Sequence, residues 1–299
     1  MSVRIIEKQY KNFGKCIFLE NDKAELGVTT EFGPRIIYFS LKGKPNVLLE
    51  DTERHFAENV GEFGTWYTYG GHRLWLSPEV MPQTYMPDND PVKYTVENGK
   101  LTVSPAADVF GKHLTIEIEL DPDEAKVNIT HTIENVSDEP QEFAPWSITA
   151  LTPGGVCKIP MCTRKSGFLA NRVIGLWEYA DIQDPRFKLT NTEARVYQDK
   201  LIKRAFKAGF NVEDGFSVYA VNEQYFVKEF EFDSKYNYPD YLCNFEVYTN
   251  DLFIENEALG DLRAYQPGEK AVISEKWSMF DNSDNNEPDL DKIRQMINK

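Results

Sequence analysis

His113-Leu114-Thr115-Ile116-Glu117-Ile118-Glu119-Leu120-Asp121-Pro122-Asp123-Glu124-Ala125-Lys126-Val127-Asn128-Ile129-Thr130-His131-Thr132-Ile133 is two runs of alternation around a polar turn. Leu114, Ile116, Ile118 and Leu120 share one face of the first run, opposite His113, Thr115, Glu117 and Glu119. Val127, Ile129 and Ile133 share one face of the second, opposite Asn128, Thr130 and Thr132. Successive strand side chains point to opposite sides, so this period predicts half-buried β-strands, and Asp121-Pro122-Asp123-Glu124 predicts the hairpin between them. His131 continues the apolar face, the place of a hydrogen-bonded core histidine rather than a catalyst.

The pattern recurs along the chain. Asn98-Gly99 predicts a second hairpin, joining 92–96 to 101–103. Further strands are expected at 16–19, 24–29, 35–39, 216–221, 225–232, 245–248, 252–254 and 271–280, with turns at Lys42-Gly43-Lys44-Pro45, Pro153-Gly154-Gly155 and Pro267-Gly268-Glu269. Helical periodicity is nearly absent before the end, and no Ser/Gly-rich linker or internal repeat interrupts the series. The expectation is an all-β chain: one large antiparallel β-sandwich domain over residues 1–280, then loop and a short C-terminal helix over 281–299. Leu290, Ile293 and Ile297 form the apolar face of that helix.

The chain has 299 residues and a formal net charge of −15, which repels nucleic acid and anionic membrane surfaces as partners. No run approaches the ~18–20 apolar residues of a membrane span, and Met1-Ser2-Val3-Arg4-Ile5-Ile6 opens no signal-peptide stretch, so a cytoplasmic protein is expected. Cys16, Cys157, Cys162 and Cys243 lack zinc-site spacing and read as free buried thiols. Asp88-Asn89-Asp90 reads as a turn, not a calcium site, and neither metal nor cofactor is expected. Glycine-rich nucleotide loops, HExxH and GxSxG are missing.

Aromatic residues make up 13% of the chain; most are expected in the core, and a fraction stands beside polar groups where it could line a sugar site. In Trp66-Tyr67-Thr68-Tyr69-Gly70-Gly71-His72-Arg73-Leu74-Trp75-Leu76-Ser77-Pro78-Glu79, an imidazole, a guanidinium and a carboxylate stand among aromatic rings, and two glycines permit close backbone approach to a ligand. A sugar requires both: planar polar groups for its hydroxyls and aromatic walls for its C–H face. Tyr236-Asn237-Tyr238-Pro239-Asp240-Tyr241-Leu242-Cys243-Asn244-Phe245-Glu246-Val247-Tyr248 is a second such stretch. In a third, Phe253 to Leu262, Glu255 and Glu257 would share one strand face.

The order of Phe32-Gly33-Pro34-Arg35, Gly71-His72-Arg73-Leu74-Trp75, Glu255-Asn256-Glu257-Ala258-Leu259-Gly260, Pro267-Gly268-Glu269 and Glu275-Lys276-Trp277 resembles the galactose mutarotase (aldose 1-epimerase-like) superfamily, in particular an uncharacterised bacterial branch of it. The resemblance implies an antiparallel β-supersandwich with a sugar site on its concave face, and a small carbohydrate as partner. In family epimerases a late-strand glutamate takes the anomeric proton and a histidine protonates the ring oxygen. Carried over by motif, the glutamate is Glu257, with Glu255 second. Arg35, Arg73, Trp75, Glu79, Trp146, Lys228, Asp240, Glu246 and Glu255 are the candidate sugar contacts. Where the family's acid is due, this chain reads Phe143-Ala144-Pro145-Trp146-Ser147-Ile148-Thr149, without histidine. The substitute acid is then His72, Glu79 or a tyrosine, or the site binds sugar without epimerising it. A pair such as Glu79 and Glu257 is also the equipment of glycoside cleavage.

Overall fold

Lys112–Leu120 pairs antiparallel with Lys126–Asn135, with Leu120 opposite Val127 and Ile116 opposite His131, as the alternation requires. The computed structural model describes residues 2–298. Asn98 and Gly99 both take positive φ, 52° and 84°, the backbone of a two-residue hairpin between Lys93–Glu97 and Lys100–Ser104. These strands belong to a ten-stranded sheet whose centre is Phe216–Val221, Gln224–Phe230, Lys270–Asp281 and Lys126–Asn135. It is the back sheet. An eleven-stranded front sheet runs through Ile36–Leu41, His72–Ser77, Gln141–Leu151, Ile254–Leu259, Phe245–Thr249 and Phe206–Phe210 in that spatial order. A two-stranded ribbon, Ala57–Asn59 with Thr65–Tyr67, stands apart from both.

The two sheets bury their facing sides against each other, which is the expected all-β supersandwich. Leu74, Phe206, Ala208, Phe245, Val247 and Ala258 meet Ile116, Ile118, Val127, Ile129, Phe226 and Trp277 in one apolar layer. The Trp277 ring sits 5.2 Å from Phe226 of its own sheet and 5.9 Å from Phe39 of the other. The helix Leu290–Ile297 is capped by Asp289, which accepts from the N–H groups of Asp291 and Lys292. Leu290 and Ile293 cluster with Phe216, Val218 and Val227, on the outer side of the back sheet.

The strand expected at 252–254 starts two residues later and runs Ile254–Leu259. Asn250 accepts from the N–H groups of Leu252 and Phe253, which holds the preceding residues in a turn. His72–Ser77, Gln141–Leu151, Val156–Pro160 and Phe206–Phe210 were not among the expected strands; in the last two, Lys158, Lys207 and Gly209 break the apolar pattern of strands buried on both sides. All four cysteines are buried and free. Among the described residues no helix is long and apolar enough to cross a membrane.

Candidate functional site

Alternation along five neighbouring front-sheet strands assembles a cleft on the face turned away from the back sheet. Arg73 and Trp75 point to it while Leu74 enters the core; likewise Trp146 and Ile148, Glu255 and Glu257, Tyr248, and Lys207 point to it from their strands. Register sets the neighbours: Trp146 stands opposite Trp75, Ile148 opposite both Arg73 and Glu257, and Tyr248 opposite both Glu255 and Lys207. The ribbon adds Glu58 and Trp66 from one side, and the segment after Leu176 adds Trp177 and Tyr179. The cleft holds about 340 Å³. Trp66, Trp75, Trp146 and Trp177 line it; of the five tryptophans, Trp277 alone lies in the core.

Two ion-paired groups form its floor. Arg73 Nη1 donates to Glu255 Oε1 at 2.9 Å, with the guanidinium 4.1 Å from the Trp75 ring centroid. Lys207 Nζ lies 2.9 Å from Glu257 Oε2 and 2.7 Å from Glu246 Oε2, between the rings of Trp146 and Trp177 at 4.6 and 4.5 Å. Trp146 Nε1–H also donates to Glu257 Oε2, at 2.9 Å. One oxygen of Glu257 is therefore anchored twice. Trp66 Nε1 and Arg73 Nε are buried without an acceptor in the cleft wall.

Burial raises the Glu255 carboxyl above the usual range, although Arg73 opposes it. Burial also raises Glu246 well up, with Glu257 and Asp240 adding to it against Lys207. Lys207 moves the other way from a normal buried lysine: its two carboxylates outweigh desolvation and hold the ammonium charged.

Of the residues singled out in the sequence, Glu257, Glu255, Arg73, Trp75, Trp146 and Glu79 meet in the cleft, with Tyr85 donating to Glu79 at the rim. Glu246 lies behind Lys207. Arg35 pairs with Asp88 and donates to the carbonyl of the lining residue Thr68 at 3.3 Å, so it supports the wall from behind. Asp240 is exposed on the turn Pro239–Leu242, outside the cleft. His72 and Lys228 are fully buried and do not line it. His72 neighbours Arg73 on one strand, so the two side chains leave on opposite faces. Gly70 and Gly71 serve packing rather than a ligand: a Cβ would stand 2.3 Å from the Leu49 carbonyl oxygen and 2.2 Å from that of Ile36. Lys207, Trp177, Tyr179 and Tyr85 were missed; the signal for Lys207 was a lone cation in the apolar run Phe206-Lys207-Ala208.

Comparison with family models and with curated proteins finds no match. Solved structures do match. One from Klebsiella pneumoniae, described as a putative aldose 1-epimerase, is 11% identical with a TM-score of 0.61, over 98% of this chain and 86% of that one. A galactose mutarotase-like protein from Lactobacillus casei is 11% identical with a TM-score of 0.56, over 89% of this chain and 100% of that one. This chain has the galactose mutarotase-like fold. It also spans about half of a TPR-domain containing protein from Parabacteroides distasonis: 92% of this chain and 48% of that one, at 13% identity and a TM-score of 0.62.

Within this mutarotase-like fold, His72 joins a polar network between the sheets. The Ile273 carbonyl can only accept, so His131 Nδ1, 3.2 Å away, carries a proton and His131 Nε2 is an acceptor. His72 Nε2–H then donates to it at 2.7 Å, and His72 Nδ1 accepts from the Thr149 hydroxyl at 2.9 Å. Lys228 Nζ donates to Thr149 Oγ1, to the Ser147 carbonyl and to the Asn256 carbonyl at 3.0, 3.0 and 3.1 Å, and pairs with Glu275 at 3.0 Å. His72, His131 and Glu275 place one ligand atom each within 4.8 Å of one another, a spacing that suits a metal ion. Their lone pairs are already engaged, and the Lys228 ammonium opposes a second cation there, so the cluster reads as a structural network.

Burial lowers both imidazoles, His72 well below its ordinary range. His72 should stay neutral at pH 6, and histidine C2–H NMR should show it titrating well below, and His131 below, the ordinary imidazole range. An imidazole of depressed pKa contributes stability that is complete above about pH 6.5 and is lost as the unfolded chain takes up protons the fold refuses. Glu246 and Glu255, held high, bind protons in the fold first and oppose that loss, so the resonances are the cleaner readout.

Proposed function

We propose that the cleft binds a carbohydrate and interconverts its anomers by general acid/base chemistry, with Glu257 as the base. The observation that carries this reading is a carboxylate with one oxygen anchored by Trp146 and Lys207, on the floor of a cleft walled by four tryptophans. Aromatic faces pack on the C–H face of a pyranose, and the anchored carboxylate turns its other oxygen to the ligand. The anomeric O–H gives its proton to Glu257, the ring oxygen takes a proton as its bond to C1 breaks, and C1 becomes an aldehyde carbon. Rotation about C1–C2 and closure on the other carbonyl face return both protons.

Glu255 supplies the ring-oxygen proton. It lies on the same strand face as Glu257, about 6–7 Å along the strand, a span that reaches across O1–C1–O5. Its carboxyl is shifted toward neutral pH, whereas Lys207 is held charged and the phenols of Tyr179 and Tyr248 are pushed up, which makes them weaker acids. Proton-exchange NMR on a panel of aldoses tests this: accelerated exchange between α and β resonances is expected for at least one sugar.

A second reading, a carbohydrate-binding protein without turnover, is favoured by one observation: no imidazole lines the cleft. It expects line broadening without added exchange.

A further inference from the structure

A second cavity, of about 390 Å³, adjoins the cleft. The two share a wall, because Phe56 and Phe253 line both, their rings edge to face at 5.0 Å. Phe56 is half-buried and, lining both spaces, forms a partition between them. On the far side of it is His55, whose side chain is 59% exposed and lines the second cavity.

His55 is held in place. Asp51, almost fully buried, accepts from the backbone N–H groups of His55 and Phe56 at 2.9 and 3.2 Å, and its Oδ1 lies 3.2 Å from His55 Nδ1. A carboxylate only accepts, so the neutral ring carries its proton on Nδ1 and keeps Nε2 available. The bonds that orient the imidazole also fix Phe56, which couples the partition to the group beyond it. The acid/base chemistry assigned to the first cleft uses neither His55 nor this cavity. No lysine or arginine lines the second cavity, and its acidic groups Glu50 and Asp51 disfavour an anionic occupant.

We infer that the ligand is an oligosaccharide: with one ring in the tryptophan-lined cleft, the next ring crosses Phe56 into the second cavity and is hydrogen-bonded by His55. This rests on the carbohydrate reading of the first cleft. The second ring is uncharged, and its C–H face packs on Phe56.

Four tryptophans line the first cleft, so fluorescence titration reads its occupancy directly. Glucose and galactose are compared with maltose, cellobiose and lactose. At least one disaccharide should bind about tenfold more tightly than its monosaccharide, ~1.4 kcal/mol. His55→Ala should return that disaccharide most of the way to the monosaccharide value, with the loop still held by Asp51, and saturation-transfer NMR should label protons of both rings. Equal affinities for monosaccharides and disaccharides overturn the inference, as does a gain that His55→Ala leaves untouched. Silence from every sugar is a different result, and overturns the carbohydrate reading along with it.

Discussion

Glu257→Gln lowers catalysed anomer exchange by about 10²–10⁴-fold, the range a positioned general base contributes. The amide still accepts from Trp146 Nε1–H and from Lys207 through its oxygen, and Lys207 keeps Glu246 as a partner, so the cleft should retain its shape. Sugar affinity read by tryptophan fluorescence should change less than fivefold, about 1 kcal/mol. Loss of rate with affinity kept is the signature of an interaction made in the transition state. A variant that turns over at the parental rate removes Glu257 from the chemistry. Glu255→Gln makes the complementary case, because it abolishes the proton donor while leaving Glu257 anchored.

Lys228→Met destabilises the fold by roughly 3–5 kcal/mol, the effect of leaving a buried charge without its partner. Glu275 is fully buried; with Lys228 gone it keeps only the Ser147 hydroxyl and Trp277 Nε1–H as donors. The Ser147 and Asn256 carbonyls lose a donor at the same time. These belong to the two strands that carry Trp146 and Glu257, so sugar affinity should fall with stability. Urea unfolding measures the first effect and fluorescence titration the second. Adding Glu275→Gln to Lys228→Met should recover a large part of the stability, since no net charge then remains buried. A single variant within 1 kcal/mol of the parent protein would show that the ammonium does not hold the sheets together.

The hairpin 112–135 was legible because both of its strands are half-buried, and half-burial writes an alternating pattern into the residues. The pairing of Glu255 with Glu257 on one face followed from the same parity, as did the core position of His131. Phe206–Phe210 was illegible for the converse reason. It carries core residues on one side and a buried, ion-paired lysine on the other, so neither face looks polar. Trp177 and Tyr179 reach the cleft from an irregular segment, where no period exists to read.

From residues alone, parity along each strand establishes which side chains share a face: Leu114 with Ile116, Val127 with Ile129, Glu255 with Glu257. Parity is a local property of the extended backbone, and sequence states it without help. Which of the two faces turns to the second sheet, and which to the ligand, is a long-range matter. The register that sets Trp146 beside Trp75 and Ile148 beside Glu257 joins residues far apart in the chain. The packing of sheet on sheet put His72 and Lys228 in the interior, and the registers of Tyr248 with Lys207 and of Glu246 with Glu257 brought Lys207 onto Glu257, because burial and ion pairing depend on what stands opposite a side chain and not on what precedes it.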